Sequence, residues 1–149
     1  MFSKKINGVA VSLFVAIVLI AVTGTAVGQG ADVWKDEATG LTWATKDNGM
    51  PITPASGSSY CDSLKAGGLS GWRLPTIDEA ETAYDRADKK QFRTKGTIVL
   101  SEACVLTSST TRGGDTWTFC FNNGARNIGG GGGCGTVALA LCVNGAKKE

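Results

Sequence analysis

Histidine is absent from the 149 residues. That removes the commonest general base and the commonest nitrogen ligand of zinc, so a catalytic or metal site would have to come from cysteines, carboxylates and hydroxyls. No two of the five cysteines stand in a CxxC pair. The serines have no base or orienting partner recognisable in the sequence, as a nucleophile would need. The chain therefore reads as a non-enzyme without cofactor or metal.

Cytoplasmic character is also missing at the N-terminus. Lys4 and Lys5 are the only charges before Asp32, and residues 9–22 are apolar apart from Ser12. A basic start, an apolar run and the small residues Ala26 and Gly28 predict a secretory signal peptide, 1–28, cut before Gln29. No cysteine follows the run, which excludes a lipoprotein anchor. An uncleaved anchor is the alternative, since residues 6–31 exceed the about 20 needed to span a bilayer; the polar and small Thr23-Gly24-Thr25 weaken it. With Lys4 and Lys5 removed, basic and acidic residues balance at 13 each. A neutral mature chain has no global field to attract nucleic acid, and the membrane is met only through an uncleaved N-terminal segment.

Residues 29–149 suit one domain with one core. All five cysteines, Cys61, Cys104, Cys120, Cys134 and Cys142, lie there. In an exported chain they read as disulfides with one thiol over.

Two short aromatic runs, Val33-Trp34-Lys35 and Leu41-Thr42-Trp43-Ala44, flank a gap ending in Gly40 and predict a hairpin. Thr53 before Pro54 predicts a capped helix carrying Tyr60, Cys61 and Leu64 on one face and stopped by Gly67-Gly68. Its glycine and serines leave it dependent on packing. Thr76-Ile77-Asp78-Glu79 is a capping box, and Ile77, Ala80, Tyr84 and Ala87 continue as a buried helical stripe. After Asp88 the composition turns to β: residues 97–100, Cys104–Thr110, 116–122, Ala125–Ile128 and 136–143. Trp117, Phe119 and Phe121 alternate along one of these strands and predict an aromatic face. Two helices followed by strands give an α+β fold. The glycine run 129–133 lacks a Gly-Lys-Ser/Thr ending and predicts a loop, not a phosphate cradle.

Three constellations are candidates for contact with a ligand. Arg86, Lys89, Lys90 and Arg93 share a face if the second helix continues, and such a stripe suits sulfate or carboxylate groups; as a solvated helix end it would favour the dipole instead. Arg112-Gly113-Gly114-Asp115 forms the tip between two strands, either a tight polar turn or a ligand-facing loop. In Trp72-Arg73-Leu74-Pro75, Arg73 reads better as a tie between loops than as a contact.

The ordered blocks Asp36-Glu37-Ala38-Thr39-Gly40-Leu41-Thr42-Trp43, Tyr60-Cys61-Asp62-Ser63-Leu64, Gly71-Trp72-Arg73-Leu74-Pro75-Thr76, Ser108-Ser109-Thr110-Thr111, then Trp117 and Phe121 before Asn123-Gly124, and Leu141-Cys142-Val143 resemble the Lcl C-terminal domain family over residues 34–145. The resemblance implies a C-type-lectin-like α+β fold, two helices on a mainly antiparallel sheet, related in shape to formylglycine-generating enzymes. From the collagen-like adhesin that gives the family its name it implies adhesion through sulfated polysaccharide, with an extracellular polysaccharide or a surface protein as partner. It also implies a Cys61–Cys142 bridge, because lectin-like folds commonly staple the first helix to the last strand. Cys120 is then expected to pair with Cys134, leaving Cys104, although Cys104 is an alternative partner. Leu141 and Asn144 stand where the family tends to carry arginine, and Thr107 where an aromatic residue is common. Calcium-type sugar motifs are missing, so binding without calcium is expected. The alternatives are an oxidase of the formylglycine-generating type using paired cysteines, and a structural component of the cell envelope.

Overall fold

The computed structural model describes residues 32–129 and 137–146. The expected signal peptide, residues 1–28, and the glycine run with Cys134 lie outside the described residues. Strand β1 (Val33–Asp36) turns into β2 (Leu41–Ala44). Asp36 closes that turn by accepting from the Ala38 amide and the Thr39 hydroxyl, and Gly40 takes φ +74°, which only glycine adopts without strain. Helix α1 (Pro54–Ser63) follows, then α2 (Ile77–Thr82), β3 (Cys104–Thr110), β4 (Thr116–Cys120), β5 (Ala125–Ile128) and β6 (Val143–Asn144). Two antiparallel three-stranded sheets result, ordered β1-β2-β6 and β3-β4-β5. The fold is α+β, as expected.

The C-terminal segment joins the sheets. Val143 pairs with Trp43 of β2 on one side and exchanges both backbone hydrogen bonds with Arg73 on the other. Four residues earlier, Leu139 pairs in parallel with Val105 of β3, while Ala138 pairs with Ile52. Only its last two residues are a regular strand, but residues 138–143 are all buried, as the apolar run 136–143 predicts.

Side chains alternate along this segment between two cores. Leu139, Leu141 and Val143 enter an aromatic core with Trp43, Val105, Phe119, Phe121 and Tyr84. Ala138, Ala140 and Cys142 enter a second core with Cys61, Trp72, Leu74, Cys104, Leu106 and Cys120. Helix α2 supplies Ala80 to the first core and α1 supplies Cys61 to the second, so the β layer is buried on both faces. Tyr84, Phe119 and Phe121 meet edge to face, with ring centres 5.1–6.3 Å apart. Trp117, predicted on that face, is only half-buried. Within α1, a Cβ on Gly57 would stand 2.8 Å from Leu106, so glycine lets this weak helix settle on β3.

Three predicted elements are corrected. Helix α1 stops at Ser63, before the diglycine, which instead belongs to a short 3-10 turn, Ala66–Gly68. Residues 97–100 form no strand; Val99 only bridges Lys46. Helix α2 ends at Thr82, leaving Ala87 exposed. The last has a clear cause. Asp85 and Asp88 accept the amides of Ala87 and Lys90 through their side chains, which offers the backbone local bonds in place of helical ones. The Lys95 amide then bonds Ala83 and the Arg93 amide bonds Phe121, folding the chain back.

Candidate functional site

Arg73 is a tie. Its fork meets both oxygens of Glu79 at 2.7 and 2.8 Å, and it also donates to the Leu74 and Gly145 carbonyls. Glu79 is buried, and it accepts the Thr76 amide while Thr76 caps Glu79 in return, completing the predicted capping box. Trp72, Leu74 and Pro75 are buried. The Trp-Arg-Leu-Pro-Thr block thus fixes the start of α2 and touches β6, and the Arg73 guanidinium is spent on Glu79 and two carbonyls.

The disulfides are Cys61–Cys142, joining α1 to the C-terminal segment, and Cys104–Cys120. The second corrects the expected Cys120–Cys134 pairing. Cys104 and Cys120 stand directly opposite in the β3–β4 register, with Cα atoms 4.0 Å apart, so the sheet itself brings them together. All four described cysteines are bonded, which leaves no pair of thiols among the described residues for oxidase chemistry.

The basic stripe dissolves with the end of α2. Arg86 pairs with Glu81 at 3.6 Å, Lys90 with Asp88 at 3.1 Å, and the Arg93 guanidinium donates to the Tyr84 hydroxyl. Lys89 is exposed beside them. The Lys90 amide, then the rest of this pairing, holds the Asp88 carboxyl below its ordinary pKa. Arg112 and Asp115 are exposed at the β3–β4 tip, where the Thr111 hydroxyl accepts from the Gly113 and Asp115 amides; this is a self-contained turn. Two family arginine positions are likewise structural here, Leu141 in the aromatic core and Asn144 donating to the Ser70 carbonyl.

What the loops do build is a double groove about Phe92. One half, of about 440 Å³, is walled by Phe92, Gly96, Ile98, Val99 and Leu100, with Lys90 at its rim. The other, of about 480 Å³, is formed by Gln91, Phe92, Ser101, Glu102, Ala103 and Asn122. Both volumes lie in the range of roughly 300–1,000 Å³ typical of small-ligand sites. Phe92 packs against the aromatic core and divides the two halves.

Each wall is anchored to the scaffold. Behind Phe92, Asp85 and Arg93 bond across the loop base, next to the Tyr84–Thr94 bridge. Opposite, Asp47 accepts the Ser101 amide and hydroxyl at 2.6 and 2.9 Å, and the Val99 amide bonds Thr45. Gly96, at φ +60°, lies against the Trp34 ring, where a Cβ would come within 2.2 Å. Loops pinned in this way present fixed side chains to solvent, as recognition loops do.

A smaller cleft of about 260 Å³ lies between Lys46, Lys65 and Tyr60. Burial, then the nearby Asp47 carboxylate, raise the Tyr60 phenol above its ordinary pKa, so it stays a neutral hydroxyl.

Of the residues singled out in the sequence, only Lys90 lines the double groove. Gln91, Phe92, Ser101, Glu102 and Asn122 were missed. The one available signal was Phe92 itself, an aromatic set among Lys89, Lys90, Gln91 and Arg93 where neither helical nor strand period calls for it.

A family profile described as the Lcl C-terminal domain matches residues 32–142. Neither a curated protein nor a solved structure matches the chain.

Proposed function

The chain belongs to the Lcl C-terminal domain family, and from that premise we propose that it is an exported recognition or adhesion module that binds polysaccharide, without calcium, in the groove about Phe92. The observation that carries this reading is the groove's composition. An aromatic ring stands between amides (Gln91, Asn122), hydroxyls (Ser101, Thr97) and a carboxylate (Glu102). A sugar ring presents an apolar C–H face and a rim of hydroxyls, and it needs those two partners side by side. Calcium has no part in this arrangement, because the lining offers one carboxylate and the hydroxyl and amide groups reach the sugar directly.

The test is a glycan array probed with the folded domain and with Phe92→Ala, each checked by circular dichroism. Glycan binding by the wild type and its loss in the variant are expected, with binding unchanged by a calcium chelator. Undiminished binding by Phe92→Ala would place the ligand elsewhere.

A further inference from the structure

Resting on that polysaccharide reading, we propose that the groove selects glycans bearing N-acetyl groups over sulfated ones. The charge balance of the lining points there first. Among the described residues its only cation is Lys90, whose ammonium is already 3.1 Å from Asp88, and its only anion is Glu102. A sulfate ester placed in the groove would meet no uncompensated positive charge and would face Glu102. Tight sulfate recognition uses several charge-assisted donors, commonly a guanidinium fork. No arginine among the described residues lines either half, and Arg93 turns its guanidinium to Tyr84.

The unequal halves then narrow the choice. In the Lys90 half Phe92, Ile98, Val99 and Leu100 make an apolar wall beside Gln91, Thr94 and Thr97, and Val99 is 66% exposed although apolar. A hydroxyl turned against Ile98, Val99 and Leu100 rather than Thr97 would lose water without gaining a partner. A methyl group fits that wall. In the adjoining half the Gln91 and Asn122 amides can donate to a carbonyl, and the Glu102 carboxylate and the Ser101 oxygen can accept an N–H. The acetamido group is the common sugar substituent that joins a methyl to an N–H and a carbonyl. With Phe92 common to both halves, a sugar ring stacked on it can set its acetyl methyl against the apolar wall and its N–H and carbonyl towards the polar half.

Isothermal titration of the folded domain with N-acetylglucosamine oligomers, cello-oligosaccharides of equal length and heparin decides the matter. The first two differ only by acetamido in place of hydroxyl. Binding of the acetylated oligomer at least tenfold tighter than the other two is expected. Val99→Asp, at an exposed position that folding tolerates, should weaken it at least fivefold, while raising the salt to about 0.5 M, which screens surface charges, leaves it within twofold. Equal binding of the two oligomers, or heparin the tightest, overturns the acetyl preference and leaves the recognition reading standing. Silence towards all three with Phe92-dependent hits elsewhere on the array does the same; silence across the whole array overturns both.

Discussion

Three donors converge on the buried carboxylate of Glu79: the two terminal nitrogens of Arg73 and the Thr76 amide. Removing the charge strands a guanidinium that is three-quarters buried. Glu79→Gln is expected to lower unfolding free energy by on the order of 3 kcal/mol, the usual cost of breaking a buried pair. Arg73→Lys should recover only part of the loss seen in Arg73→Ala, since an ammonium cannot span both oxygens. Urea titrations measure all three, and a Glu79→Gln midpoint equal to the wild type would refute the assignment. The sequence displayed half of this cluster. Thr76 and Glu79 are legible because a capping box is local; the Arg73 pair was legible only as a tie of unstated partner, because that partner is fixed by how the strand at Arg73 enters the helix.

The elements divide along the same line. Hairpin β1–β2, the cap of α1, and strands β3 and β5 follow from local composition and emerge where predicted. The end of α2 does not, because the spacing of Ile77, Ala80, Tyr84 and Ala87 stays helical past the point where Asp85 and Asp88 capture the backbone. The groove is illegible for that reason: Gln91 and Phe92 follow a helix whose end the spacing does not show, and residues 97–100 read as a strand while forming a loop. Cysteine pairing was half legible. The Cys61–Cys142 bridge came with the family resemblance, whereas Cys104–Cys120 is set by strand register, which single-residue slips change entirely. Non-reducing peptide mapping should return these two bridges, and a Cys120–Cys134 peptide would contradict the register. The bridges span 81 and 16 positions. In the chain-entropy model they are worth about 4.5 and about 3 kcal/mol. Cys61→Ser is therefore expected to destabilise more than Cys104→Ser, as thermal melts can show.

At the scale of the whole molecule, residues 138–144 tie together what would otherwise be two sheets and two cores. Their apolar run was readable as a buried central strand; that it serves both sheets was not, since each pairing depends on a distant partner. Amides donating from Leu139 and Val143 lie between elements that cannot part separately. In native-state hydrogen exchange they should open only with global unfolding, and fast local exchange at either would contradict this. Every backbone partner of this segment, from Thr42 to Leu106, precedes it in the chain. The ribosome therefore makes all the pieces of the barely separable centre before the piece that joins them. Until residues 138–144 emerge, the nascent chain holds the β1–β2 hairpin and the β3-β4-β5 sheet with bare apolar faces and Cys61 without its partner, so a translation stop at residue 137 yields a polypeptide that has most of its strands and helices and no finished interior.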